Sequence, residues 1–160
     1  MTDTATLPLT HAFDLTIQVG PPIEVGDVGG YLRRIIPIVG GELRGSGLQG
    51  RVLQAGADFQ QIAPDGTAQL DARYVVELES GARIFIVNTA LRTGPPELLA
   101  RLARGEPVDP AALYFRCAPR FEVADLLLLG GVGPALGGAF HRQGLQRQGQ
   151  RHRGCDADVF

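Results

Sequence analysis

The chain predicts an all-β, mainly antiparallel fold, and three observations carry that expectation. Glycine occurs 22 times and proline 11 times in 160 residues, turn chemistry suited to many short strands rather than a helix bundle. Phe13, Leu15, Ile17 and Val19 alternate with Asp14, Thr16 and Gln18, the period of a half-buried strand. The stretch ARYVVELESGARIFIVN has the pattern of a hairpin, two β-rich runs around Ser80-Gly81. Strands in sequence with short turns suit a barrel or a sandwich, and a barrel leaves no open edge.

The elements follow in order. The first strand ends at Gly20-Pro21-Pro22, and Gly26 to Gly30 reads as a loop. Tyr31 to Ile38 is a second strand, bent or bulged at Gly40-Gly41. Leu48 to Ala55 and Asp58 to Ile62 are short strands, and Pro64-Asp65-Gly66 is a turn in which Pro presets φ and Gly accepts a positive one. In the hairpin, Tyr74, Val76 and Leu78 share one face and Ser80-Gly81 forms a two-residue turn. The return strand from Ala82 to Asn88 is apolar enough to be covered on both faces. One helix is expected over about 95–104, GPPELLARLARGEP. Prolines open it, Glu97 and the two arginines suit its dipole, Leu98, Leu99 and Leu102 form a buried stripe, and Gly105 stops it. Residues 111–117 and 119–125 return to extended chain.

Composition excludes several chemistries. All 15 basic residues are Arg, so neither a Schiff-base lysine nor a lysine-bearing phosphate loop is possible. A net charge of −2 gives no footprint for nucleic acid. Cys117 and Cys155 have no metal-ligand spacing, and His11 stands alone, so no metal site is expected. The N-terminus lacks a basic region followed by an apolar core, and no run is long enough to span a membrane. The expectation is a cytoplasmic protein without membrane contact.

GGYLRRIIPIVGGELRGSGLQGRVLQAGADFQ, PDGTAQLDARYVVELESGARIFI, GPPELLARLARGEPVDPAALYFR and APRFE resemble the domain-of-unknown-function 3237 family of small bacterial and fungal proteins. The likeness runs from about Phe13 to Glu122, with the motifs in family order. It implies a single-domain β-barrel similar to allene oxide cyclase and other lipocalin-like barrels, and it implies no chemistry. Phe59 stands where the family usually has another aromatic, often Trp. After Glu122 the family continues with strands that complete the sheet, whereas here the chain reads LLLLGGVGPALGGAF and then HRQGLQRQGQRHRG.

A shifted reading frame is the expected origin of this ending. Legal codons for HRQGLQRQGQRHRG, moved by one base, yield IGKGYNGKGNVIV, and CDADVF becomes DATRTF, strand-turn-strand text suited to a family terminus. The expected organisation is therefore a barrel domain over 11–125 and an atypical, frameshifted tail of low order over 126–160, with closing strands missing or replaced. Such a barrel exposes unpaired edges and favours aggregation. The alternative is a genuine divergent tail. Its Arg142, Arg147, Arg151 and Arg153 carry no binding role if the frame is shifted.

Candidate chemistry lies in polar residues set within apolar strands, since barrels of this kind bind ligands in their mouths. Asp58 and Glu122 are the candidate general acid or base, and Arg34, Arg73, Tyr114 and Arg116 the candidate ligand-binding groups. The competing reading pairs these groups with one another across strands in a purely structural role. Cys117 reads as a buried apolar cysteine and Asp65 as a turn residue. The sequence thus suggests a cofactor-free barrel for a small apolar or carbonyl/carboxylate ligand, able to form a homodimer. It is read as an acid–base isomerase, cyclase or hydrolase, with a non-catalytic carrier or assembly module, or a non-functional truncated relative, as alternatives.

Overall fold

Alternation of apolar and polar side chains builds nearly every strand of the computed structural model, which describes residues 11, 13–45 and 47–124, and the backbone of 144–146. The strands are β1 (Phe13–Val19), β2 (Ile23–Asp27), β3 (Leu32–Gly45), β4 (Leu48–Val52), β5 (Gly56–Ile62), β6 (Ala68–Leu78), β7 (Arg83–Thr93), β8 (Tyr114–Val123) and β9 (Gly144–Gln146). A helix, α1 (Pro96–Ala103), and a short 3-10 helix, Pro110–Ala112, lie between β7 and β8. The fold is all-β and barrel-like, and every ladder is antiparallel except β1 with β9.

The wall runs in the order β8-β7-β6-β4-β3-β1-β9. Long β3 and β6 each hold two partners end to end. β3 pairs with β5 through Leu32–Ile38 and with β4 through Glu42–Gly45, and β6 does the same through Ala68–Arg73 and Val76–Leu78. On its other edge β3 takes β2 and then β1. No ladder joins β8 to β1 or β9 among the described residues. The two meet through side chains instead, Phe13 and Phe121 packing edge to face with centroids 5.9 Å apart.

β3 is longer than its sequence suggests because Gly40-Gly41 bends the strand without ending it. The register slips between Gln18 and Val19, and Gly41 takes φ +140° where a side chain would strike the Thr16 carbonyl. Gly56 does the same service at the start of β5, where the backbone of Arg73 and Tyr74 leaves no room for a Cβ. The main core fills the barrel interior, with Ile17, Ile36, Ile38, Leu43, Tyr74, Val76, Ile84 and Ile86 buried. Each such aliphatic side chain stabilises by roughly 1.5–3 kcal/mol.

Several expectations need correction. The β6–β7 turn is a three-residue loop, Glu79-Ser80-Gly81: the Gly81 N–H donates to Leu78 O, the Leu78 N–H donates to Ala82 O, and Gly81 has φ +83°. β7 is not covered on both faces, since Phe85 and Leu91 stay exposed. Residues 23–27, without a clear strand signal, form β2, whose side chains are mostly exposed. β8 is one strand that passes through Pro119, tolerated where its missing N–H faces away from β7.

The helix spans Pro96–Ala103, with Arg104 as its C-cap and Gly105 beyond it at φ +74°. Leu99 and Leu102 are buried with Leu113 in a second, smaller apolar cluster, and Leu98 is only partly covered. The expected atypical segment 126–160 lies outside the described residues, apart from Gly144–Gln146. That short run pairs in parallel with Thr16, Ile17 and Gln18.

Candidate functional site

One end of the barrel interior is polar, and strand register explains how. Side chains of directly paired residues share a face, so three rows can be followed from β3 to β8. Ile36, Asp58, Ala72, Asn88 and Pro119 form one row; Arg34, Gln60, Leu70, Ala90 and Cys117 the next; Leu32, Ile62, Ala68, Arg92 and Phe115 the last. The small Ala68, Ala72, Ala90 and Cys117 leave volume on the β6–β8 side for the long Arg34, Gln60 and Arg92. Arg34, Asp58, Gln60, Asn88 and Arg92 are the buried polar residues among those described, and none is more than 8% exposed. They lie outside both apolar clusters.

Gln60 links a cation to an anion. Arg34 donates to Gln60 Oε1 from Nε at 3.0 Å and from Nη2 at 2.8 Å, and Gln60 Nε2 donates to Asp58 Oδ2 at 2.6 Å. Both ends of the amide are committed, which fixes its orientation and that of the carboxylate. The other carboxylate oxygen, Asp58 Oδ1, is buried without a hydrogen-bond partner among the described residues.

Burial pushes the Asp58 carboxyl above its ordinary value, against the opposing pull of the Gln60 amide, the Arg92 charge, the Asp71 backbone and the Arg34 charge. Burial, followed by the Arg34 charge, pushes Arg92 down to about 10, with Asp58 acting against both. The result is a desolvated site holding two guanidiniums and one carboxyl that protonates unusually easily. Glu24 lies at the edge of this polar cluster. This residue pairs directly with Arg34 and so faces the same way, yet its side chain is 51% exposed, and Oε1 lies 3.8 Å from Arg34 Nη1.

Of the residues singled out from sequence, Asp58 and Arg34 come together here. Arg73, Tyr114, Arg116 and Glu122 sit on the outer face of the wall. Arg73 grips Asp71 with two hydrogen bonds, 3.1 and 2.7 Å, and holds that carboxyl below its usual range. Arg116 stacks on Tyr114, and Glu122 pairs across from Phe85. Asp65 is a turn residue, accepting from the Thr67 N–H and hydroxyl. Cys117 is half-buried. Exposed His11 lies 3.0 Å from Asp14.

Sequence reasoning missed Gln60, Asn88 and Arg92. The signal was present: Gln60 lies two residues from Asp58, and Asn88 and Arg92 continue the inward parity of Ile84 and Ile86. Among the described residues no group of three or more His, Cys, Asp or Glu gathers as a metal site would require, and no helix is long and apolar enough to cross a membrane.

Comparison with known proteins places the chain in a wider group. A family model described as "Protein of unknown function (DUF3237)" matches residues 7–127. A UPF0311 protein of Rhodopseudomonas palustris is 48% identical over 119 residues, covering 74% of this chain and 78% of the relative. The crystal structure of a conserved protein of unknown function from Rhodopseudomonas palustris is similar with a TM-score of 0.72 at 47% identity, over 76% of this chain and 80% of that one. A β-barrel-like protein of Acinetobacter baumannii is similar with a TM-score of 0.53 at 31% identity, over 77% and 81% of the two chains. From Phe13 to Glu122 the motifs, the strand ladder and these likenesses agree, and the chain belongs to the DUF3237 family of proteins of unknown function.

Proposed function

We propose that the protein binds a small molecule bearing a carbonyl or carboxylate in the polar end of the barrel, and that Asp58 exchanges a proton with it. The observation that supports this reading is the buried Arg34–Gln60–Asp58 chain, which ends in a carboxylate oxygen with no hydrogen-bond partner among the described residues. A desolvated carboxyl is costly for a scaffold and useful for a proton-transfer site. Arg34 and Arg92 supply charge for a ligand oxygen, while Gln60 holds the Asp58 carboxyl in place. A carboxyl raised above its ordinary value by burial gives up and takes back its proton closer to the working pH than an exposed aspartate does.

The experiment pairs two probes with two variants. Phenylacetate and phenylacetone report binding by NMR, and solvent-deuterium uptake at the α-carbon of phenylacetone reports proton transfer. Asp58→Asn retains binding and loses the exchange, whereas Glu122→Gln, on the outer face, retains both. Undiminished exchange in Asp58→Asn defeats the assignment. A variant that loses stability while binding is untouched favours the alternative, a non-catalytic carrier with Asp58 serving the fold.

For residues 126–160 we infer translation in a shifted frame. The reading is supported by the family match stopping at residue 127 and by the existence of legal codons for His141 to Gly154 that yield strand-turn-strand text when moved by one base. The nucleotide sequence decides it, because codons for His141 to Gly154 that do not yield IGKGYNGKGNVIV exclude it. The residues of the proposed site all precede this segment.

A further inference from the structure

The outer face of the same wall carries a second feature that the interior site does not use. The strands β3, β5, β6, β7 and β8 curve around an open cleft of about 930 Å³, within the size range of ligand sites. One register row crosses it from rim to rim: Arg33, Gln61, Gln69, Leu91 and Arg116. Phe59 and Leu91 offer apolar surface, 38% and 40% exposed. The row thus has a cation at each end and amides and apolar surface between.

The two rim arginines are held alike. Tyr31-Leu32-Arg33 and Tyr114-Phe115-Arg116 repeat a Tyr-x-Arg spacing, and each guanidinium lies over its tyrosine ring, 5.2 and 5.0 Å from the centroid. Arg33 Nη2 also donates to Tyr31 Oη at 3.4 Å, and Arg116 Nη1 donates to Phe115 O at 2.7 Å. Neither makes an ion pair among the described residues. Asp71, the acid in the cleft, is already neutralised by the paired hydrogen bonds from Arg73. Stacking fixes each cation without consuming its charge, so the cleft is prepared for an anion at both rims.

We propose that this cleft is a separate binding site for an elongated dianion, an α,ω-dicarboxylate with an apolar middle, whose two carboxylates meet Arg33 and Arg116 while the chain lies over Phe59 and Leu91. Guanidinium–carboxylate pairing supplies the ends, and burial of the methylene chain supplies the centre. Five strands at about 4.8 Å spacing put the rims about 19 Å apart at the backbone. A guanidinium–carboxylate contact at each rim takes up part of that gap, and a medium-chain diacid fills the rest.

The test is calorimetric titration of the full chain with sebacate, decanoate and decanol, equal in carbon number and carrying two, one and no charges. Sebacate is expected to bind tightest and decanol weakest. Arg33→Gln and Arg116→Gln should each weaken sebacate about tenfold, toward the level of decanoate. Thermal melts of these surface variants report that folding is intact. Asp58→Asn should leave sebacate binding unchanged, which separates this site from the interior one. Equal binding of the three probes, absence of saturable sebacate binding, insensitivity to both arginine changes, or loss in Asp58→Asn overturns the proposal. So does a dimer in sedimentation that buries this face and dissociates in Arg116→Gln.

Discussion

Asp58 is the residue on which the account turns, and its chemistry dictates a pH signature. Its carboxyl is raised in the folded chain because burial disfavours the anion. Below about pH 3.9 both folded and unfolded states hold the proton, and Asp58 contributes no difference. As pH rises toward the raised folded value, the unfolded chain releases the proton while the folded chain keeps it, so this group lowers stability. Asp58→Asn therefore holds or raises the Tm at pH 7, and its advantage over the parent vanishes near pH 3.5. A variant less stable than the parent across the whole range contradicts this. Glycine gives a second residue-scale case. Gly56 passes against the backbone of Arg73, and Gly56→Ala should cost about 1–3 kcal/mol in a denaturant midpoint, or force a register shift visible in amide spectra. Asp58 was legible in the sequence as a polar residue inside an apolar strand. Arg92 was not, because the apolar run that marks the return strand ends at Asn88, whereas the strand and its inward parity continue to Arg92.

Elements that bury a face were legible, and those that do not were missed. The β1 alternation and the α1 stripe give strong periodic signals because one side must leave water. β2 has almost no buried side chain and is held by its ladder to β3, so its sequence carries little pattern. The 3-10 helix opens with Asp109, whose carboxylate accepts from the Ala111 N–H at 3.0 Å, a local cap that hydrophobic spacing does not reveal. α1 docks through Leu99 and Leu102 onto Leu113. Leu102→Ala should therefore lower unfolding free energy by about 2–4 kcal/mol, with the denaturant slope unchanged. A loss below about 1 kcal/mol would mean that the helix contributes little to the folded state.

At the scale of the whole molecule, two long strands, each shared by two short ones, form a wall with an apolar core toward one end and a polar layer toward the other. The barrel class was legible from turns and alternation, since those patterns are local. Which polar residues share the interior was not, because that depends on registers between strands up to dozens of residues apart, fixed by the bend at Gly41 and the change from β4 to β5. The outward placement of Arg73, Arg116 and Glu122 follows from the same registers, which separate these residues from Asp58 by the thickness of the wall. The most direct measurement is a carbon-detected NMR titration of the Asp58 carboxyl, with and without phenylacetate. The expected midpoint lies above the ordinary aspartate range in the free protein and moves higher still when the ligand carboxylate is bound beside it. A midpoint in the ordinary range that the ligand leaves unchanged would contradict it.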